Sequence, residues 1–210
     1  MRFGVDEAGK GPVLGSMFAA AVRADPAVLP DGVGDSKGIP PERRERLAGR
    51  IRETASVGLA EVPVERIDDP ATDMNTLTVD AHARALDAVA RDGLAGTVDA
   101  GDVDAGRFGR RVAERVGADV IVTSAHGADE SDPLVGAASI VAKVERDAHV
   151  ARLAKRYGEV GSGYPSDPTT RTFLREYVER EGDLPECARR SWSTCADLLA
   201  AAEQSSLDSF

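Results

Sequence analysis

The order in which hydrophobic periods succeed one another restricts the fold of this chain more than any single motif. Residues 2–6 alternate, Phe3 and Val5 against Gly4 and Asp6, as a half-buried strand does. A Gly/Pro turn over residues 9–12 and a second apolar run over 15–22 complete a predicted hairpin. Pro40-Pro41 opens a helix with Leu47 and Ile51 facing in, and residues 56–64 read as a third strand. Over residues 74–90, Val79, Ala83, Leu86 and Ala90 recur at helical spacing. A βαβ-like unit follows: a strand at 97–100, a helix at 105–116 burying Phe108, Val112 and Val116, and a strand at 119–124. Ser131-Asp132-Pro133 puts a capping side chain before a first-turn proline and predicts a helix running to about Tyr157. After a Gly/Pro/Ser loop at 158–168, helices at 169–181 and 193–203 close the chain. A hairpin, then alternating helix and strand, then helices alone, imply an α/β fold: a mixed central sheet flanked by helices. A single domain over 1–203 accommodates all of this, with 204–210 left as a tail.

Several classes drop out. Asp6 interrupts any secretory apolar segment, and the run at 17–22 is far too short to cross a bilayer. Cys187 and Cys195 are too few for a disulfide framework and read as free thiols. The expectation is a soluble, cytoplasmic protein with no membrane partner, monomeric by default. The formal charge is −10, and only four of the 26 basic residues are lysine: Lys10, Lys37, Lys143 and Lys155. An acidic, lysine-poor surface over a normal apolar pattern suggests adaptation to concentrated salt. There the Debye length falls to about 3 Å, so net charge does not exclude a nucleic-acid partner.

Asp6-Glu7 sit where the first strand meets a glycine turn. Adjacent acids are costly to bring together unless a cation lies between them, and Mg²⁺ suits one or two carboxylates plus water and phosphate. Asp99 ends a strand, and Asp129 lies between the next strand and the helix begun at Pro133. If those strands are neighbours, Asp6, Glu7, Asp99 and Asp129 gather at one sheet edge as a two-metal hydrolytic site. In so acidic a chain Asp102, Asp104, Glu130 and Asp132 compete for the same roles, and spacing alone does not choose.

Gly9-Lys10-Gly11-Pro12 follows the acid pair directly. Such a turn can offer backbone N–H groups to an anion, with Lys10 adding a point charge; an ordinary hairpin turn would look the same. Lys37 and Lys143 persist where arginine is otherwise the rule. Ser139, Lys143 and Arg146 fall at i, i+4 and i+7 on one helix stripe, which a solvated face would also produce. Tyr164, a rare aromatic on a rigid Gly/Pro loop, suits stacking on a sugar or base, or else packs against a neighbouring helix. His82, His126 and His149 lack metal-ligand spacing and read as structural or surface residues, with His126 the one to watch, three residues from Asp129.

Taken together these segments resemble ribonuclease HII, the type 2 ribonuclease H family. The resemblance is carried by Val5-Asp6-Glu7-Ala8-Gly9-Lys10-Gly11-Pro12, Asp35-Ser36-Lys37, Asp99-Ala100-Gly101-Asp102 and His126-Gly127-Ala128-Asp129. The stretch from Ala137 to Asp147 and the Tyr164 loop follow in the family's order, the loop in its archaeal form, so that the match covers about residues 1–200. The resemblance implies a ribonuclease H-like fold with a helical C-terminal extension. It also implies catalytic, metal-holding roles for Asp6, Glu7, Asp99 and Asp129, with two Mg²⁺ or Mn²⁺ ions. Gly9, Lys10, Gly11 and Tyr164 would read the 2′-hydroxyl; Lys10 stands where most relatives have arginine. Lys37, Ser139, Lys143 and Arg146 are the further expected substrate contacts. The implied reaction is hydrolysis of the RNA strand of RNA–DNA hybrids, and cleavage 5′ of ribonucleotides embedded in DNA, leaving 3′-hydroxyl and 5′-phosphate. The tail carries Gln204, Leu207 and Phe210 in a pattern similar to the box that docks proteins on the sliding clamp, PCNA. Two other readings stand beside this one: a DNA-specific nuclease of the same superfamily, and a non-enzymatic cation- or clamp-binding adaptor.

Overall fold

The computed structural model of the chain describes residues 1–33 and 38–207, less the side chains of 205–207. Five strands, β1 (Arg2–Ala8), β2 (Met17–Ala24), β3 (Ser56–Val62), β4 (Leu94–Asp99) and β5 (Val120–Ala125), form one sheet in the order β3-β2-β1-β4-β5. β1 and β2 are antiparallel, as are β2 and β3, while β4 runs parallel to β1 and to β5. The sheet is therefore mixed, as the order of periods predicts. The helices are α1 (Pro41–Thr54), α2 (Val64–Ile67), α3 (Met74–Asp87), α4 (Ala105–Ala113), α5 (Ala128–Ser131), α6 (Pro133–Tyr157), α7 (Pro168–Glu181) and α8 (Ser193–Leu207).

Alternation along the strands decides which helix covers which face. Ala20 and Val22 of β2 pack with Leu47 and Ile51 of α1 and with Leu134 and Ile140 of α6. α3 packs on β2 and β3 and α4 on β5, from the other side. The approach of α6 to β1 is so close that a Cβ on Gly4 would lie 2.2 Å from the Leu134 backbone, so only glycine fits there. Asp132 holds the start of α6: its Oδ1 accepts from the Leu134 N–H at 3.0 Å, and its Oδ2 accepts from Thr97 Oγ1 at 2.9 Å and from Arg2 at 2.8 Å.

Several boundaries differ from the sequence reading by a few residues, and the following are the instructive ones. β3 stops at Val62 rather than at residue 64, because Pro63 has no N–H for the ladder. β4 begins earlier, at Leu94, where pairing with Val120 already supports it. α5 is a single helical turn too short to show a period. α8 runs on through Leu207.

The chain divides into two compact units. The first comprises Met1–Lys10, Met17–Val62 and Asp73–Arg146, and holds the whole sheet. The second comprises Gly11–Ser16, Pro63–Thr72 and the chain from Asp147 onward. Its core gathers Val13, Leu14, Val160, Phe173, Leu174 and Val178 with the buried Cys187 and Cys195, which are not joined in a disulfide. No described helix is long and apolar enough to cross a membrane.

Candidate active site

In the first unit, β1, β4 and β5 run parallel and end together, and the carboxyl ends of parallel strands are where open α/β sheets place their ligand crevice. Val5 pairs with Val98, so Asp6-Glu7 and Asp99 emerge side by side. Asp99 Oδ1 accepts the Ala128 N–H at 2.6 Å, which ties the first turn of α5, and with it the buried Asp129, to the end of β4. Asp6, Glu7 and Asp99 lie within one another's fields, and the Asp129 charge acts on Asp99. Burial pushes the Asp6 carboxyl well above the usual carboxylate range; the Glu7 and Asp99 charges add to the rise, and Ser139 works against it. Burial also raises Asp99, against the Ala128 hydrogen bond and with the charges of Glu7 and Asp129. For Glu7 burial is outweighed: a hydrogen bond between His82 Nε2 and Oε2, at 2.7 Å, and the nearby Lys10 ammonium hold it below its ordinary value.

The competing acids have other partners. Asp132 caps α6 and bridges Arg2. Asp104 caps α4, accepting the Arg107 N–H at 2.9 Å. Asp102 meets the Arg107 guanidinium at 2.7 Å, which keeps its carboxyl below the usual range. Glu130 is exposed.

Beside the acid pair, Gly9 has φ +88°, the left-handed conformation that the turn needs. Lys10 Nζ donates to the Gly101 carbonyl and, at 3.3 Å, to Asn75 Oδ1. Its ammonium thus ties the turn to the segment after β4. On α6, Ser139 and Arg146 are buried and Lys143 is half-buried, so the stripe is not a solvated face. Ser139 Oγ makes no hydrogen bond of good geometry, although the hydroxyl lies near enough to Asp6 to lower its pKa. Lys37 and Phe210 lie outside the described residues, as does the side chain of Leu207; Gln204 is exposed on α8.

The tyrosine loop belongs to the second unit. Asp167 caps α7 and accepts from the Ser162 N–H at 2.6 Å, from its hydroxyl at 2.7 Å and from the Thr169 N–H at 2.9 Å. These bonds lower its pKa to about 2. Thr170 Oγ1 accepts from the Gly163 N–H and donates to the Val160 carbonyl, each at 2.9 Å. The Gly163 carbonyl takes the N–H groups of Val13 and Leu14 at 2.8 and 3.2 Å. Held on both flanks, Tyr164 remains 44% exposed, and its ring edge lies 3.8 Å from where a Cβ on Gly11 would stand.

Residues 3–195 match the sequence profile of the ribonuclease HII family. The chain belongs to that family. It is 76% identical to the ribonuclease HII of the archaeon Haloarcula marismortui over the full length of both chains. The ribonuclease H2 of Pyrococcus horikoshii OT3 superposes with a TM-score of 0.90 at 35% identity, covering 96% of this chain and 98% of that one. The Archaeoglobus fulgidus ribonuclease HII, solved in complex with PCNA, gives 0.85 at 39% identity, over 94% and 96%. The archaeal form carried by the family resemblance and the salt adaptation suggested by composition both agree with these relatives. As a ribonuclease HII the chain is a hydrolase, an endoribonuclease acting on RNA–DNA hybrids, and the family depends on divalent metal.

The ribonuclease HII acid edge fits such an ion. Its donors are all carboxylate oxygens, the hard ligands that Mg²⁺ and Mn²⁺ take, and buried like charges gain most from a cation. Among the described residues no three His, Cys, Asp or Glu side chains are grouped so that together they could hold a metal ion. Ions that keep most of their waters need only one or two protein carboxylates each. The sequence reading missed His82 as a partner of Glu7. Its place on the inner stripe of α3, three residues after Val79 and four before Leu86, signalled burial but not what it touches.

Proposed function

We propose that Asp6, Glu7, Asp99 and Asp129 hold two divalent ions, Mg²⁺ or Mn²⁺, and that the enzyme cuts the RNA strand there by two-metal hydrolysis. When bound, the ions would activate water and neutralise charge on the scissile phosphate. The supporting observation is electrostatic: Asp6 and Asp99 are driven toward protonation by burial and by neighbouring carboxylates, a cost that a cation at this edge removes. The chain's own part is to bind and orient. Backbone groups of Gly9 and Gly11, with Tyr164, would read the ribose 2′-hydroxyl, the group that separates RNA from DNA. Because Lys10 is bonded to Gly101 and Asn75, its exchange for the arginine of most relatives is mild, and the turn works through its backbone. Lys37, Ser139, Lys143 and Arg146 complete the substrate contacts.

Cleavage falls on the 5′ side of the ribonucleotide and leaves 3′-hydroxyl and 5′-phosphate, so both primers and single embedded ribonucleotides are substrates. The tail is a clamp-docking segment, Gln204, Leu207 and Phe210 entering an apolar pocket of PCNA, the clamp with which the Archaeoglobus fulgidus relative was solved. The enzyme works in the cytoplasm, in replication and ribonucleotide removal. The deciding experiment is cleavage of a duplex carrying one ribonucleotide against an all-DNA control, with Mg²⁺ or Mn²⁺, across a salt series. Cutting only 5′ of the ribonucleotide, lost in Asp99→Asn, is expected; equal cutting of the all-DNA duplex would mean a DNA nuclease instead.

A further inference from the structure

His82 of α3 is fully buried, and a polar ring in that position is costly unless it is bonded. Nε2 lies 2.7 Å from Oε2 of Glu7, while Nδ1 is buried with no hydrogen-bond partner among the described residues. A proton on Nδ1 would be stranded there, so Nε2 carries it and donates to Glu7. Phe108 sets the ring's orientation by an edge-on contact, centroids 5.1 Å apart at 87°. The other carboxylate oxygen, Oε1, faces Gly101, where a Cβ would come to 3.4 Å of it. One oxygen of Glu7 is therefore committed to the protein, and the other stands toward the crevice lined by Lys10, Asn75, Gly101 and His126.

We infer that His82 is a positioning residue that holds Glu7 as a one-oxygen ligand, offering Oε1 alone to a divalent cation. The inference rests on the reading of Glu7 as one of the metal-holding acids. A glutamate at a strand end beside a glycine turn would otherwise sample several rotamers, and ordering it would weaken binding. His82 makes that ordering part of folding. Hydrogen bonds of this kind, made by groups behind a ligand, are worth about 10–100-fold in metal affinity.

The test is the Mn²⁺ affinity of the metal-free enzyme, titrated by electron paramagnetic resonance of the free ion, in the parent, His82→Phe and His82→Gln. Phenylalanine fills the space without a donor; glutamine keeps an N–H. H82F is expected to bind Mn²⁺ about 10–100-fold more weakly at unchanged circular dichroism, and H82Q to stay within about threefold of the parent. Equal affinity in parent and H82F, or equal weakening in both variants, overturns the inference. Should H82F not fold, the unmodified protein decides. The side-chain ¹⁵N–¹H signal of His82 is expected to shift on saturation with Mg²⁺ while its proton stays slow to exchange; an unmoved signal or a released proton overturns the inference. A parent that binds no Mn²⁺ would instead remove the reading of Glu7 itself, a distinguishable failure.

Discussion

Two aspartates show how differently the two compact units treat a buried or half-buried charge. Asp6, at the acid edge of the first unit, is shut away from water beside Glu7 and Asp99, and its pKa rises. Asp167, in the tyrosine loop of the second, accepts hydrogen bonds from Ser162 and Thr169, and its pKa falls to about 2. Asp6 accepts the Glu7 N–H at 2.7 Å, yet burial and its neighbours' charges outweigh that bond, whereas the bonds to Asp167 prevail. A buried carboxylate crowded by like charges is a liability that persists where something else is to bind. A fully satisfied one makes a loop rigid, which suits a surface that must read a shape.

The sharpest way to break this contrast is to remove acids from the edge. Asp99→Asn and Asp129→Ala are expected to lose roughly 10³-fold or more in cleavage rate while remaining folded. Retention of activity by either variant would place the chemistry elsewhere.

Next in size is the response to metal. Saturating Mg²⁺, at about 100 times its dissociation constant, should stabilise the fold by roughly 2.7 kcal/mol. For a chain of this length that is a rise of about 5–10 °C in the melting midpoint, reversed by a chelator. Asp6→Asn should be more stable than the metal-free parent by about 2–4 °C, since one buried like charge is gone. The pH dependence follows from the direction of the shift. A carboxyl whose pKa is raised on folding binds its proton more tightly in the folded state. Asp6's own contribution to the stability of the metal-free parent is then most favourable below the unfolded carboxylate value and is lost as pH rises through the raised Asp6 pKa. Asp6→Asn should lack that decline; thermal scans across pH would show an identical slope if the contrast is wrong.

Tyr164→Ala tests the other region. The loss of a stacking contact of about 1–3 kcal/mol predicts a fall of roughly 10–100-fold in kcat/KM on a single-ribonucleotide duplex, with melting unchanged. Smallest is the effect of Asp167→Asn, a slight drop in melting midpoint at neutral pH. Asp167 has its pKa depressed on folding, so its contribution is present above the ordinary value of 3.8 and is lost as pH falls toward about 2. The gap between parent and variant should close over that interval, and a gap constant down to pH 2 would show that the carboxylate charge is not what the loop uses.

Much of the architecture was legible before any coordinates. The hairpin, the capped start of α6 and the helical stripe of α3 all follow from period and capping chemistry, and the structure has them. The family resemblance, carried by motifs in register, agrees with the profile match over residues 3–195. Choosing among the acids was harder for a physical reason. Asp102, Asp104 and Asp132 look like Asp99 and Asp129 in composition, and only their partners differ: Arg107 for the first, helix N–H groups for the other two. His82 was hidden in the same way, because helical periodicity reports that a side chain faces inward but not which atom it meets.

By itself the sequence determined much of what depends on neighbours along the chain: the strands and longer helices, where α6 begins, and the family. Only the tertiary structure decided whatever depends on partners far apart in sequence. Parallel pairing of β1 with β4 brings residue 6 beside residue 99, α3 carries His82 to Glu7, and the turn at Lys10 reaches Gly101. The reason is that electrostatic and hydrogen-bond energies fall off within a few ångströms in space, so the fold, not the order of residues, sets which charges meet.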